Sequence, residues 1–133
     1  MPKFLLMVNH ENGDAETSME EWDPSDVSAH MNYYAALNKE LIDSGELAGG
    51  SILADPRLAR IVKSDGVSAP VVTDGPFPES KEVLAGFQVV EVESEARAIE
   101  IAARVSAVPG PGGVPIRQPI EVRQVMEDKV GDL

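Results

Sequence analysis

Two helical segments, each opened by a capping side chain, constrain the fold of this chain most, because strands can form only outside them. Asp23 followed by a proline predicts a helix from Pro24 to Ser44, and Gly45 ends it. Ser94 caps a second helix that ends near Ala107. Apolar residues recur at helical spacing at Val27, Met31, Tyr34, Leu37 and Leu41 in the first helix, and at Ala98, Ile101, Ala102 and Val105 in the second.

Short apolar runs bounded by turn residues fill the rest of the chain and predict strands. A hairpin is expected where Val71-Val72 leads into an Asp-Gly-Pro turn and Val83–Val92 returns. The other predicted strands are Lys3–Asn9, Leu47–Ala54, Arg57–Lys63 and Ile116–Met126, of which the third pairs with the second or continues it. The order β-α-β-β-β-α-β predicts an α+β fold, the ferredoxin-like βαββαβ plan with an extended central hairpin. Helices on one face leave the other face of the sheet uncovered, so we expect a homodimer.

The composition limits the kinds of partner that the chain can bind. A length of 133 residues predicts a single domain, residues 1–133, with a flexible acidic loop at 10–23 and a frayed C-terminus. A net charge of −12 opposes direct binding to nucleic acid or to anionic membranes. No apolar run approaches the roughly 20 residues of a membrane span. The absence of cysteine excludes disulfides and thiolate chemistry and fits a cytoplasmic location.

Motifs for metals and nucleotide cofactors are missing from the sequence. Neither the histidines nor the carboxylates stand at a known metal-ligand spacing, so we expect no metal site. The glycine-rich stretch at 110–113 follows a helix and precedes a strand, the reverse of a phosphate-binding turn. We therefore expect no cofactor.

The segment from Thr73 to Glu82 is the strongest candidate for a site, because a tight turn there holds a carboxylate, a ring and charged groups in one place. Asp74 either accepts hydrogen bonds from turn amides or points into a cleft. Phe77 either fills an apolar contact or contacts a ligand, and Lys81 either pairs with its neighbouring glutamates or binds an anion.

His30 is the second candidate, because it lies on the first helix beside the apolar face that carries Tyr34. Imidazole is the usual general acid or base near neutral pH. The alternative is a histidine that makes a structural hydrogen bond at the rim of the core. Arg57 and Arg60 are spaced to clamp a carboxylate with their planar guanidinium groups, or else to face solvent on the sheet.

The chain resembles the YCII-related family, in particular its DGPF branch, whose hallmark is matched by Asp74-Gly75-Pro76-Phe77. Glu79, Lys81 and Glu82 after the hallmark, Gly45 after the first helix, Gly86-Phe87 in the returning strand and Ile120-Glu121-Val122-Arg123 near the end also match. The resemblance implies a ferredoxin-like fold that forms a dimeric α+β barrel with a cleft on each protomer.

The same resemblance implies an acid–base pair formed by a histidine near the start of the first helix and an aspartate. His30 occupies the first position, whereas the element that usually carries the acid begins here with Val92-Glu93-Ser94-Glu95. The carboxylate is then Asp74 or one of these glutamates. Some members of the branch resemble partners encoded beside sigma factors, which implies a regulatory protein partner.

These observations predict a homodimer that binds a small anionic or aromatic metabolite in a cleft. His30 and Asp74 are the predicted catalytic residues, and the predicted ligand-binding residues are Tyr34, Arg57, Arg60, Phe77 and Lys81. If the protein is an enzyme, the expected chemistry is cofactor-free isomerisation or elimination, with His30 as the base and Asp74 orienting it. The alternative is a non-catalytic interaction or regulatory module, in which the DGPF segment is structural.

Overall fold

A computed structural model describes residues 1–11, 19–75 and 82–126, which form two helices and six strands. In chain order the elements are β1 (Lys3–Glu11), α1 (Pro24–Asp43), β2 (Leu47–Ile52), β3 (Arg60–Lys63), β4 (Val71–Asp74), β5 (Glu82–Glu91), α2 (Glu95–Ser106) and β6 (Ile120–Gln124). The fold is a mixed α+β fold in which all the strand pairs of the described residues are antiparallel.

Both helices begin and end where their capping residues predict. The Asp23 carboxylate accepts a hydrogen bond from the Ser25 amide at 2.9 Å, and the Ser94 hydroxyl accepts one from the Arg97 amide at 3.2 Å. Gly45, with φ of +79°, follows Ser44 and takes the left-handed conformation that ends α1. The structure confirms these predictions. They could be made from the sequence because each depends on residues within one turn of the chain.

The buried face of α1 differs from the predicted one by a single position. Leu37 and Leu41 are buried as expected, but Met31 is 47% exposed and His30 is buried in its place. The side of α1 that faces the core therefore carries His30, Tyr34, Leu37 and Leu41. In α2 the predicted apolar positions Ala98, Ile101, Ala102 and Val105 are all buried.

The main sheet has four strands in the order β2-β5-β1-β6. The predicted hairpin between β4 and β5 is wrong, because β5 pairs with β1 and β2 while β4 pairs with β3 in a separate two-stranded sheet. The expected pairing of β2 with β3 is wrong for the same reason. β6 starts directly after Pro119 and lies at an edge of the sheet, where a proline costs no ladder hydrogen bond.

Both helices pack on one face of the main sheet. Phe4 and Leu6 of β1 and Val90 of β5 belong to the core cluster that also contains the apolar residues of α1 and α2. Because side chains alternate along a strand, Leu5 and Met7 lie on the opposite face, facing their partners Val89 and Phe87 across the strand pair. These four residues are half-buried, and we call them the outer face of the sheet.

The two-stranded sheet of β3 and β4 forms a projecting arm, residues 56–75, between β2 and β5. Its valines are exposed, with Val62 opposite Val72 in the register and Val67 at 92% exposure in the connecting loop, whereas Ile61 is half-buried. The predicted strand from Arg57 to Lys63 begins only at Arg60, because Pro56–Leu58 forms a short 3₁₀ turn capped by Asp55.

Both ends of the predicted acidic loop at 10–23 have regular secondary structure. β1 continues through Glu11, so that His10 is an exposed strand residue, and Met19–Glu21 forms a short 3₁₀ turn before α1. Residues 12–18 and the predicted frayed end at 127–133 lie outside the described residues. Neither helix of the described part of the chain combines the length and apolarity needed to cross a membrane.

Candidate functional site

His30 is the one polar residue among the buried side chains of the described residues, with 8% of its surface exposed. Its Nδ1 lies 2.9 Å from the backbone oxygen of Pro109, in the connector between α2 and β6. A carbonyl oxygen only accepts hydrogen bonds, so Nδ1 carries a proton and donates it. No hydrogen bond of the described residues involves Nε2, which leaves that nitrogen able to accept a proton.

Two aromatic rings surround the imidazole. The rings of Trp22 and Tyr34 lie edge-on to it, with centroids 5.4 and 5.2 Å from its own. The Tyr34 hydroxyl accepts a hydrogen bond from Gln118 Nε2 at 3.2 Å, and burial raises the pKa of Tyr34 above its ordinary value. A neutral phenol and a fixed imidazole therefore stand side by side on α1.

The connector from Ala107 to Pro119 is held against α1 by hydrogen bonds at Pro109, Gly112 and Gln118. The amide of Gly112 donates to Asp26 Oδ2 at 3.0 Å, one helical turn before His30. The Ser106 hydroxyl donates to the Gln118 backbone oxygen at 2.7 Å, which fixes the segment that carries the partner of Tyr34. We call Trp22, Asp26, His30, Tyr34 and the connector residues Pro109 and Gln118 the His30 site.

Asp74, the predicted partner of His30, lies on the arm and has a different partner. Its side chain is 88% exposed, and its carboxylate lies 3.5 Å from Arg60 Nε. Among the described residues no hydrogen bond or ion pair joins Asp74 to His30. A catalytic role for Asp74 stays a prediction.

The two predicted arginines are also paired within the arm. Arg57 donates two hydrogen bonds to Asp55, from Nε at 3.1 Å and from Nη2 at 2.8 Å. These bonds lower the pKa of Asp55 to about 2, so its carboxylate remains ionised. Arg60 donates to the backbone oxygens of Leu58 and Ala59. Phe77 and Lys81 lie outside the described residues, and their predicted contacts with a ligand stay untested.

Sequence reasoning placed His30 and Tyr34 together but missed Asp26 and the connector. The missed signal for Asp26 was its spacing, since residues 26, 30 and 34 repeat every four positions and share one helix face. No local signal identifies Pro109 or Gln118, because each lies about 80 positions from its partner. No three histidine or acidic side chains of the described residues are grouped closely enough to hold a metal ion.

Comparison with known proteins gives a family but no activity. A family model for the YCII-related domain matches residues 3–123. An uncharacterized protein from Rhizobium meliloti (strain 1021) is 28% identical over 115 residues, which cover 86% of this chain and 90% of that protein.

Proposed function

The chain belongs to the YCII-related family, and on that premise we propose that it is a cytoplasmic homodimer that binds a small aromatic or anionic metabolite at His30. One observation carries this proposal. A buried imidazole has one nitrogen bonded to Pro109, makes no hydrogen bond through the other to any described residue, and packs against two aromatic rings in T-shaped geometry.

The chemistry that fits this geometry is proton transfer without a cofactor. The bond from Nδ1 to Pro109 fixes the ring and places the lone pair of the neutral imidazole on Nε2, which then accepts a proton from a bound substrate. The same carbonyl stabilises the imidazolium that forms. In isomerisation the imidazolium returns the proton to another carbon. In elimination the electron pair of the broken C–H bond forms a double bond, and the leaving group departs with the pair of its own bond to carbon and takes up the proton. Isomerisation and elimination are the two reactions that need no more than this step.

The uncovered side of the sheet supports the homodimer. The strand order β2-β5-β1-β6 is compatible with the ferredoxin-like plan. The resemblance to the YCII-related family implies that two such sheets form a dimeric α+β barrel. The outer face carries Leu5, Met7, Phe87 and Val89, whereas both helices pack on the other face. Apolar side chains of this size favour burial against a second copy.

A second candidate function has support from the arm. Val62, Val71 and Val72 are each more than half exposed on a two-stranded sheet that pairs only with itself in the described chain. Such ribbons gain stability from a partner surface. A non-catalytic interaction module with a regulatory protein partner would use this surface and leave His30 as a structural residue.

Two substitutions at His30 separate the proposed function from a structural role. His30→Asn keeps a donor at the place of Nδ1 and removes Nε2, whereas His30→Gln keeps a donor or acceptor near the place of Nε2. His10, which is exposed on β1, provides the control substitution His10→Asn. The wild type and the three variants are screened by thermal shift against small carboxylates and aromatic metabolites.

A ligand at about 100 times its Kd stabilises the folded protein by about 2.7 kcal/mol. We expect this stabilisation in the wild type and in His10→Asn, and its loss in His30→Asn although the unliganded variant stays folded. Equal ligand shifts in His30→Asn and the wild type would refute a role for Nε2. If no compound shifts any of the proteins, and a captured protein partner is lost on Val72→Asp but not on His30→Asn, the interaction module replaces the proposal.

A further inference from the structure

A cleft of about 520 Å³ lies between the main sheet and the arm, outside the His30 site. Leu53 and Ala54 follow β2, Leu58 and Ile61 belong to the arm, and Leu84 lies at the start of β5. None of the residues of the His30 site lines it. The volume falls within the range of small-molecule sites, about 300–1,000 Å³.

The walls of this cleft are apolar side chains that a ligand would cover. Leu58 is 66% exposed, Leu53 41% and Leu84 39%, although three leucines so close together would normally share a core. The walls come from two separate sheets, and no ladder hydrogen bond joins these sheets in the described part of the chain. An apolar chain in the cleft would remove these side chains from water.

The charges of the cleft select the head group of that ligand. Among the described residues its ionisable lining groups are Asp55 and Glu82, and no described lysine or arginine lines it. Asp55 is already bonded twice to Arg57, so its charge is neutralised locally. Glu82 is exposed and makes no ion pair with the described residues. One carboxylate at the rim is therefore open to a cation, and an anionic head group would meet repulsion.

We propose that this cleft is a second binding site, for a small amphiphile with an apolar chain and a positively charged amine. The chain lies against Leu53, Leu58 and Leu84, and the ammonium group pairs with Glu82. The net charge of −12 also favours a positively charged ligand. The site is independent of the proposed function, since it shares no residue with the His30 site.

The test uses straight-chain amines as probes, with the whole chain in isothermal titration calorimetry. Octylamine should bind at least tenfold more tightly than octanoate, and each methylene from hexylamine to octylamine should tighten binding about fourfold. Ala59→Trp places a large ring in the cleft and should abolish binding. Ala36→Trp, at an exposed alanine of α1, is the matched control and should leave binding unchanged.

Glu82→Gln tests the charge without filling the cleft. The substitution should weaken the binding of octylamine about tenfold and leave the binding of octanol unchanged, because only the ammonium group pairs with the carboxylate. Octanoate binding as tightly as octylamine would overturn the proposed head group. Unchanged octylamine binding by Ala59→Trp would overturn the location. If octylamine does not bind, and light scattering gives Ala59→Trp a different oligomer mass from the wild type, a second copy of the chain occupies the cleft and the proposal is wrong.

Discussion

The ion pair between Glu46 and Arg97 joins the turn after α1 to the first turn of α2, and its removal tests how these two elements are held together. Arg97 donates from Nε to Glu46 Oε2 at 2.8 Å and from Nη2 to Oε1 at 2.9 Å. The side chain of Arg97 is only 28% exposed and that of Glu46 only 18%. We expect Glu46→Gln to keep the shape of the side chain while removing the charge and one acceptor.

The magnitude follows from these contacts. A hydrogen bond to a charged group contributes about 1.5–3 kcal/mol, and the glutamine keeps one acceptor, so we expect a loss of about 2 kcal/mol in the free energy of unfolding. For a chain of this length that corresponds to a fall in Tm of roughly 6–8 °C. Glu100→Gln is the matched control, because Glu100 binds the same guanidinium through one bond and is 65% exposed. Its effect should be clearly smaller.

The loss should also depend on pH. Hydrogen bonds from Arg97 hold the pKa of Glu46 below its ordinary value of 4.5, against the opposing effect of burial. The stabilisation is therefore complete above pH 4.5 and is lost as the pH falls through the lower pKa of the folded state. Urea unfolding followed by circular dichroism measures the loss in the free energy of unfolding at pH 7 and at pH 3. A difference between wild type and Glu46→Gln that is as large at pH 3 as at pH 7, or absent at pH 7, would refute the reasoning.

Two further predictions concern backbone packing and a buried phenol. Gly50→Ala should destabilise the protein by about 2–3 kcal/mol in urea unfolding, because the new Cβ would lie 2.6 Å from the backbone oxygen of Phe87, whereas Gly49→Ala has open space and should cost about 1 kcal/mol at most. A similar loss in both would contradict the clash. Burial raises the pKa of Tyr34, so ultraviolet titration should show a tyrosine that ionises above pH 10, and this transition should be absent in Tyr34→Phe. The neutral phenol contributes its full stabilisation below pH 10, and this contribution is lost as the pH rises through the pKa of Tyr34 in the folded protein.

Sequence reasoning found the helices and the approximate strands because their signals are local. Asp23 and Ser94 cap helices through bonds to residues two and three positions away, and Gly45 ends α1 through its own backbone conformation. Strand pairing has no such signal. The arm shows this, since the sequence allowed β4 to pair with β5, and the fold pairs it with β3.

The candidate site divides in the same way. The amino-acid sequence by itself determined that a histidine and a tyrosine stand one turn apart on α1, and that an Asp-Gly-Pro-Phe motif begins at Asp74. Only the tertiary structure decided that His30 is buried, that its Nδ1 bonds to an oxygen 79 positions away, and that Asp74 pairs with Arg60 instead. The reason is physical: spacing along a helix sets which side chains share a face, but which distant backbone covers that face depends on the packing of the whole chain.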